Sequence, residues 1–182
     1  MRPGKAIEKG VYGGKSIVFR YPKMSDAKGA METINAAVEE KVDIAKMTKV
    51  TVAQEKKWLS SVLKAIKTKE KAFVAIELDG AYAGSCEIAK DRVDSRRHVG
   101  TLGIGMQKEI RGMGIGKRAM ELCIKEAKKI LGISIVKLEV YHTNKIGIRL
   151  YKKLGFRIVG RIKKGALHWG RYKDDITMVK YL

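Results

Sequence analysis

The sequence has few of the residue types that build metal or disulfide sites. Only two cysteines, Cys86 and Cys123, occur among 182 residues, and Cys123 continues an apolar row at helical spacing, where a small thiol packs well. The three histidines are scattered along the chain, with no metal-ligand spacing to cysteines or acidic residues. We therefore expect packed thiols rather than redox or nucleophilic ones, and no metal site.

Long hydrophobic runs are also missing. The longest contain only a few residues, against roughly 20 needed to cross a bilayer, and residues 1–5 lack the apolar core of a secretion signal. We therefore expect a cytoplasmic protein with no membrane partner. A chain of 182 residues fits a single domain with one core. We assign that domain to residues 16–182 and interpret the basic residues 1–15 as a loose arm or an added edge strand.

Carboxylates are absent from one long segment. The chain has 39 lysines and arginines against 19 acidic residues, a net charge of +20, yet no Asp or Glu occurs from Val140 to Lys173. This segment either forms a merely solvated surface or binds an acidic macromolecule such as the ribosome or RNA, although no RNA-binding motif with interleaved aromatics is present. Its basic residues are Lys145, Arg149, Lys152, Lys153, Arg157, Arg161, Lys163, Lys164, Arg171 and Lys173.

Periodicity and turn signals predict strands that alternate with helices. Ser25-Asp26 and the capping box Thr51/Gln54 precede helices, and Asp79-Gly80 is a strong hairpin signal. Antiparallel strands then lead into a strand-helix-strand crossover. This order predicts an α/β fold (mixed α+β) with a central mixed, mostly antiparallel twisted sheet and helices on both faces. The predicted strands are 16–21, 72–78, 81–88, 99–106, 133–141, 156–162 and 175–181, and the predicted helices end near 40, 69, 131 and 154.

The stretch Arg111-Gly112-Met113-Gly114-Ile115-Gly116-Lys117 has three alternating glycines at the predicted start of the third helix. Glycine adopts positive φ and lets the backbone approach a ligand closely, so several free N–H groups can converge at such a helix start. Turns of this kind bind phosphates. We therefore predict a nucleotide-like cofactor.

Two well-known phosphate motifs fit this stretch incompletely. The P-loop requires Gly where Arg111 stands and Ser or Thr where Arg118 stands. The dinucleotide fingerprint fits better, because Gly114-x-Gly116-x-x-Ala119 has its spacing and Glu139 comes at a suitable distance after it. Too few residues remain after the helix to complete a doubly wound sheet, but a dinucleotide-binding module stays an alternative at this point.

Two motifs together resemble the GCN5-related N-acetyltransferase (GNAT) family. Residues 111–116 match the Arg/Gln-x-x-Gly-x-Gly/Ala loop of that family. The stretch from Asn144 to Phe156 is similar to its Asn-x-x-Ala-x-x-Leu-Tyr-x-x-x-Gly-Phe signature, with Gly147 in place of the usual Ala. The resemblance is specific from about Val99 to Phe156. It implies the fold of that family and acetyl-CoA as the co-substrate.

The resemblance also implies roles for individual residues. Backbone groups at the end of the fourth predicted strand pair with pantetheine, and N–H groups of the glycine turn take the pyrophosphate. Tyr151 is placed as the general acid toward the CoA sulfur, and a phenol with an ordinary pKa of about 10 suits that task; the alternative is a core residue with a polar handle. Asn144 caps the helix that comes after it and contacts the cofactor. The implied cofactor-binding residues are Ile104, Gly105, Met106, Arg111, Gly112, Met113, Gly114, Ile115, Gly116, Lys117, Asn144 and Tyr151.

Three candidates exist for the general base. Glu139 lies in a strand that we expect to be largely buried, and burial raises the pKa of a carboxyl group. Its Leu-Glu-Val context and its spacing to Tyr151 resemble the base of ribosomal-protein N-terminal acetyltransferases. The structural alternative is a solvated strand face that Glu139 shares with Lys137. Glu87 and a water relay are the other two candidates.

These residues and the resemblance favour an acetyl-CoA-dependent N-acetyltransferase that transfers acetyl directly to a primary amine. The expected acceptor is a protein N-terminal α-amine, with a small-molecule amine or a lysine as the alternative. The links from Val38 to Lys49 and from Lys163 to Lys173 are expected to shape its pocket. Outside this class, a dinucleotide-binding module and a noncatalytic acyl-CoA sensor docked on RNA stay open, as does a homodimer.

Overall fold

An eight-stranded sheet runs through the computed structural model, which describes residues 2–182. The strand order is β1-β2-β3-β4-β5-β6-β8-β7, and every neighbouring pair is antiparallel except β5 and β6. The predicted mixed, mostly antiparallel sheet is confirmed. Within residues 2–182, no helix is long and apolar enough to cross a membrane. The strands are β1 Ala6–Tyr12, β2 Lys15–Arg20, β3 Lys71–Leu78, β4 Ala81–Lys90, β5 Val99–Met106, β6 Ile135–Tyr141, β7 Arg157–His168 and β8 Arg171–Tyr181, and the helices are α1 Ala27–Glu39, α2 Val52–Lys67, α3 Ile115–Leu131 and α4 Lys145–Lys153.

The two faces of the sheet carry different helices. Side chains alternate along β3, so Val74 and Ile76 join the main core, whereas Phe73 and Ala75 pack on the opposite face. All four are buried, because β3 is covered on both sides. A continuous apolar run is typical of such a strand. The prediction of helices on both faces is confirmed.

Helix α2 packs on the face of Phe73 through Leu59, Val62 and Ile66. Its predicted capping box is present: the Thr51 hydroxyl accepts a hydrogen bond from the Gln54 N–H at 3.2 Å, and the Gln54 side chain accepts one from the Thr51 N–H at 2.8 Å. Two of the free N–H groups at the start of α2 are thereby satisfied. The sequence signal therefore locates the start of α2 to the residue.

The predicted cap of α1 is replaced by an ion-pair cluster. Asp26 precedes α1 but its side chain makes no capping bond to that helix. Its carboxylate instead accepts two hydrogen bonds from the buried Arg20 guanidinium, at 2.7 and 2.8 Å, and Glu77 accepts a third from Arg20 at 2.5 Å. A buried guanidinium requires carboxylate partners, and leaving it unpaired costs more than a lost helix cap.

Helices α3 and α4 cover the other face. The predicted apolar row of α3 is buried and includes Cys123. Cys86 and Cys123 are both free and buried, and the Cys123 sulfur lies 3.4 Å from the carbonyl oxygen of Cys86. Both thiols are therefore part of the packed core between α3 and the sheet.

The last hairpin is longer than predicted. Strand β7 runs on to His168 and β8 begins at Arg171, so the segment from Lys163 to Lys173 is not the loop that we expected. A bulge in β7 takes up the extra residues. It is stabilised by Asp174, whose carboxylate accepts a hydrogen bond from the Lys164 N–H at 2.9 Å. The β-ladder therefore resumes beyond the bulge and ends in a tight turn.

Candidate active site

Neighbouring strands β5 and β6 separate partway along the sheet. Their parallel ladder contains three residue pairs and ends at Thr101 with Lys137. Strand β5 runs on through Ile104, Gly105 and Met106, where its side toward β6 has no ladder partner. Backbone N–H and C=O groups at such an edge pair readily with an extended ligand that carries amide groups. The predicted pantetheine-binding segment thus lies where the strands have parted.

The glycine turn joins β5 to α3, as predicted. Gly112 and Gly114 have φ of 79° and 80°, and nothing lies within 4 Å of the position that a Cβ would take on either glycine. The first bond of α3 joins the Arg118 N–H to the Gly114 carbonyl at 3.1 Å. The four N–H groups that precede Arg118 therefore have no acceptor inside the helix. Together with the helix dipole, they fit a phosphate group.

Two contacts hold this turn against the end of β5. A Cβ on Gly116 would lie 2.7 Å from the Met106 terminal methyl, so glycine allows α3 to start directly beside β5. The Arg111 Nε donates to the Met106 carbonyl at 3.0 Å, and its Nη1 donates to Glu40 at 2.7 Å. The Arg111 N–H also donates to the Lys108 carbonyl, at 3.1 Å, so Arg111 anchors the start of the turn.

Asn144 caps α4, as predicted. Its side-chain oxygen accepts a hydrogen bond from the Gly147 N–H at 2.8 Å. A Cβ on Gly147 would lie 2.8 Å from that same oxygen. In this structure the Asn144 amide therefore lies in the space that an alanine side chain at position 147 would take.

Tyr151 lies beside the parted strands. Its ring packs edge-on against Phe156, with centroids 6.2 Å apart. Burial raises the pKa of Tyr151 to about 12, and nearby Cys86 adds to the shift; Cys86 pairs with Ile104 across the β4–β5 ladder. Tyr151 and Cys86 belong to the same core, and Ile104 packs against that core. The Tyr151 hydroxyl has no hydrogen-bond partner among residues 2–182. Within this range, the one side-chain N or O atom that is both fully buried and without a partner is in His168. The Tyr151 hydroxyl is therefore in contact with solvent.

Glu139 lies two residues beyond the end of the β5–β6 ladder, on the face opposite Tyr151. Leu138 and Val140 belong to the main core together with Tyr151, so strand alternation turns Glu139 to the other side. Its side chain is exposed, and the expectation of a buried carboxylate is wrong, because β6 is covered here on one face only. Glu139 therefore lies on a solvated strand face that it shares with Lys137, which is the structural alternative given in the sequence analysis.

Glu87 lies on the same face as Glu139, since its neighbours Cys86 and Ile88 belong to the main core. It is ion-paired with Lys71, whose Nζ lies 2.8 Å from the carboxylate. Glu139 has no ion-pair partner in the part of the chain that the structure describes. Of the two candidate bases, Glu139 is therefore the carboxylate that is free to meet an acceptor.

The segment between α1 and α2 is held against the last hairpin. Asp43 is ion-paired with Lys173 and accepts a hydrogen bond from Thr143 at 2.6 Å, while His168 Nε2 lies 3.0 Å from the Ile44 carbonyl oxygen. Burial alone would raise the pKa of Asp43, but the bonds from Lys173 and Thr143 outweigh it and leave the pKa lowered. These contacts join the two links that we expected to shape the acceptor pocket. No local motif marks them, because Asp43 and Lys173 are 130 residues apart.

The segment from Val140 to Lys173, which contains no Asp or Glu and is called the acid-free segment, forms a strongly basic surface. Two of its cations are neutralised, because Arg161 pairs with Asp174 and Lys173 with Asp43. The remaining cations are exposed and form no ion pair with any residue from 2 to 182; they are Lys145, Arg149, Lys152, Lys153, Arg157, Lys163, Lys164 and Arg171.

Comparison with known proteins identifies the family. A sequence profile described as the acetyltransferase (GNAT) family matches residues 36–156. The chain belongs to this family. An L-amino acid N-acetyltransferase of Escherichia coli is 31% identical to this chain over 103 residues. The aligned residues make up 57% of this chain and 64% of that protein. The alignment thus spans less than two thirds of that relative.

Solved GNAT structures share the fold. The ribosomal-protein-alanine N-acetyltransferase from Brucella melitensis superposes with a TM-score of 0.82 at 23% identity, over 90% of this chain and 99% of that one. A phosphinothricin acetyltransferase from Sinorhizobium meliloti, in complex with AcCoA, gives a TM-score of 0.81 at 21% identity, over 91% of this chain and 88% of that one. At these identities the likeness shows the fold alone. The predicted GNAT fold is confirmed, and the doubly wound sheet of a dinucleotide-binding module is not present among residues 2–182.

Proposed function

We propose that this GNAT protein is an acetyl-CoA-dependent N-acetyltransferase that transfers acetyl directly to a primary amine. The observation that carries the proposal is the succession of an unpaired edge on β5 and a turn of free N–H groups. The amide-containing pantetheine of acetyl-CoA and its pyrophosphate require these two features in this order. A noncatalytic acyl-CoA sensor is the alternative, and it predicts binding without product.

The proposed cofactor contacts follow the family resemblance, and the unpaired edge of β5 and the free N–H groups of the glycine turn support them. Backbone groups of β5 pair with pantetheine, and N–H groups of the glycine turn bind the pyrophosphate. The Asn144 side chain caps α4, and the family resemblance implies that it also contacts the cofactor. The proposed binding residues are Ile104, Gly105, Met106, Arg111, Gly112, Met113, Gly114, Ile115, Gly116, Lys117, Asn144 and Tyr151.

Tyr151 and Glu139 are the proposed acid and base. When bound, acetyl-CoA supplies an acetyl thioester for attack by a primary amine. Tyr151 holds a proton on its hydroxyl oxygen and donates it toward the sulfur position, where negative charge develops. Glu139, on the opposite face of β6, takes the proton of the acceptor ammonium directly or through a water molecule. The two groups thus lie on opposite sides of β6, Tyr151 toward the core and Glu139 toward solvent.

We further propose a protein N-terminal α-amine as the acceptor. The exposed cations of the acid-free segment favour an acceptor with carboxylates nearby, since opposite charges steer association. An acidic peptide chain, including one on a larger assembly such as the ribosome, has that character. A polyamine is disfavoured by the same charges.

A free amino acid is the second candidate acceptor. It is favoured by the 31% identical relative, an L-amino acid N-acetyltransferase. Both candidates carry an α-amine one carbon away from a carbonyl carbon. They differ at that carbonyl carbon, which belongs to a carboxylate in the free amino acid and to a peptide bond in the protein N-terminus.

An acceptor screen by mass spectrometry tests the proposal. The protein is incubated with acetyl-CoA and with acidic peptides, neutral peptides, the same peptides blocked at the N-terminus, free amino acids and spermidine. We expect acetylation of the free N-terminus and the largest kcat/KM for acidic peptides. Products from amino acids alone would select the second candidate. Binding of CoA without any product would leave the sensor, and stabilisation by NAD instead of CoA would overturn the cofactor assignment.

A further inference from the structure

The β1–β2 hairpin precedes the segment that matches the family profile, residues 36–156. Residues 6–12 form the outermost strand, antiparallel to β2, and the tight turn Gly13-Gly14 joins the two strands with φ of 56° and 78°. Strands β1 to β5 are successive antiparallel neighbours, so their direction alternates. The turn after β1 therefore lies at the same end of the strands as the end of β5. Contacts across this end of the sheet bring the hairpin turn and the glycine turn together.

Two contacts join the hairpin turn to the glycine turn and to the residues just before it. The Gly13 backbone lies against the side chain of Met113, since a Cβ on Gly13 would be 3.0 Å from the Met113 sulfur. The Lys15 ammonium donates a hydrogen bond to the Glu109 carbonyl at 3.0 Å. Met113 also packs on the main core, as does Tyr12 beside the hairpin turn. The middle of the glycine turn is thus held from the side of the hairpin.

A third contact lies one turn into α3. The Glu8 carboxylate accepts two hydrogen bonds from Arg118, at 2.7 and 2.5 Å. Arg118 also pairs with Glu121 of α3 at 3.0 Å, so its guanidinium is fully committed to carboxylates. Strand β1 is thereby tied to the helix whose N-terminus carries the free N–H groups.

We propose that the β1–β2 hairpin is a working part of the cofactor site, in which Glu8 and Lys15 act as positioning residues for the phosphate-binding turn. The inference rests on the proposed function, since it takes CoA as the ligand of that turn. Neither residue needs to touch the phosphates. Each acts on the backbone that does, Lys15 through Glu109 and Glu8 through Arg118.

The physical reason is the flexibility of the turn itself. Alternating glycines can adopt the required positive φ, but they also have many other conformations that bind no phosphate. A binding site that is ordered before the ligand arrives loses less entropy on binding. Arg111 holds one end of the turn to Met106 and Glu40, and the hairpin contacts hold its middle and the first turn of α3. Removing the hairpin contacts should therefore weaken binding of the phosphate end of the cofactor.

The test compares two thioesters that differ in the phosphate end. The double variant Glu8→Met/Lys15→Met removes both polar contacts while it keeps unbranched side chains of similar length. Lys9→Met is the matched control, because Lys9 is exposed on the same strand and makes no ion pair among residues 2–182. The readouts are the Kd for CoA by calorimetry and kcat/KM for acetyl-CoA and for S-acetylpantetheine, which lacks the pyrophosphate.

We expect the double variant to weaken CoA binding about tenfold, since each hydrogen bond contributes roughly threefold to tenfold in an equilibrium constant. The value of kcat/KM should fall for acetyl-CoA and change by less than about twofold for S-acetylpantetheine. Glu8→Gln/Lys15→Arg should recover part of the loss. An equal fall of kcat/KM for both thioesters would mean that the variant is destabilised in general. An unchanged Kd for CoA would mean that the hairpin does not affect the cofactor site. Either result overturns the inference. Failure of the wild-type protein to bind CoA would instead overturn the proposed function.

Discussion

Replacing Tyr151 with Phe removes one oxygen atom beside the gap between β5 and β6. The ring keeps its edge-on packing against Phe156, and the hydroxyl donates no hydrogen bond to any residue from 2 to 182, so the fold should lose little stability. We expect kcat to fall by about 10² to 10⁴, the usual range for one acid-base group, with little change in the affinity for acetyl-CoA.

The raised pKa of Tyr151 sharpens this prediction. A hydroxyl with a pKa of about 12 lies roughly 3.5 units above an ordinary thiol of about 8.5, so full proton transfer to an unperturbed thiolate costs about 5 kcal/mol. The useful interaction is therefore donation to a sulfur whose own basicity burial has raised. The role requires the protonated phenol, which would be half lost only near pH 12. The alkaline side of the kcat profile should thus stay flat to about pH 10.

Stopped-flow detection of free thiol measures kcat for this test, and calorimetry measures CoA binding. Tyr21→Phe is the matched control, because burial and the bond to Glu126 also raise the pKa of Tyr21 to about 12 and its hydroxyl donates to Glu126 at 2.5 Å, away from β6. The control should keep its kcat. An unchanged kcat in Tyr151→Phe, or an alkaline limb near pH 8 that this variant abolishes, would refute the reasoning.

Three further predictions concern the cofactor turn, the base and the basic surface. Gly114→Val should weaken CoA binding more than about tenfold in calorimetry, because valine disfavours positive φ and its side chain occupies the open approach; an unchanged Kd would remove the turn from the site. Glu139→Gln should abolish the acidic limb of the kcat/KM profile without lowering the melting temperature, whereas an unaltered profile would point to a water relay or Glu87. Replacing Lys163 and Lys164 with Glu should raise KM for an acidic peptide, leave KM for acetyl-CoA nearly constant and flatten the salt dependence of the reaction with that peptide. Equal rates for acidic and neutral peptides at low salt would mean that these cations only form a solvated surface.

Local sequence signals predict much of this fold because their physics is local. The capping box of Thr51 and Gln54 and the Asp79-Gly80 hairpin turn each depend on residues close in sequence, and both are confirmed. The glycine turn belongs to the same class, since positive φ at Gly112 and Gly114 is a requirement of the turn itself. Such features involve few competing partners, so tertiary contacts rarely override them.

Features that depend on distant partners could not be predicted. Asp26 looks like a helix cap until the buried Arg20, which also pairs with Glu77, is known to lie beside it. The exposure of Glu139 depends on whether another element covers that face of β6, which the strand pattern of β6 alone does not reveal. The bulge beside Lys164 requires Asp174 across the hairpin, so the same residues suggest a loop when considered alone.

The parting of β5 and β6 leaves the sheet with an edge in its interior. Strands β1 to β5 and strands β6 to β8 are two blocks joined directly by only three residue pairs, and a bound pantetheine would act as a partial ninth strand between them. Among residues 104–106, the amide hydrogens that point away from β4 should therefore exchange quickly in the free protein and slowly in the complex. At a cofactor concentration of about 100 times Kd, mass action adds about 2.7 kcal/mol to the free energy of unfolding. The thermal stability of the protein should consequently report the supply of its co-substrate.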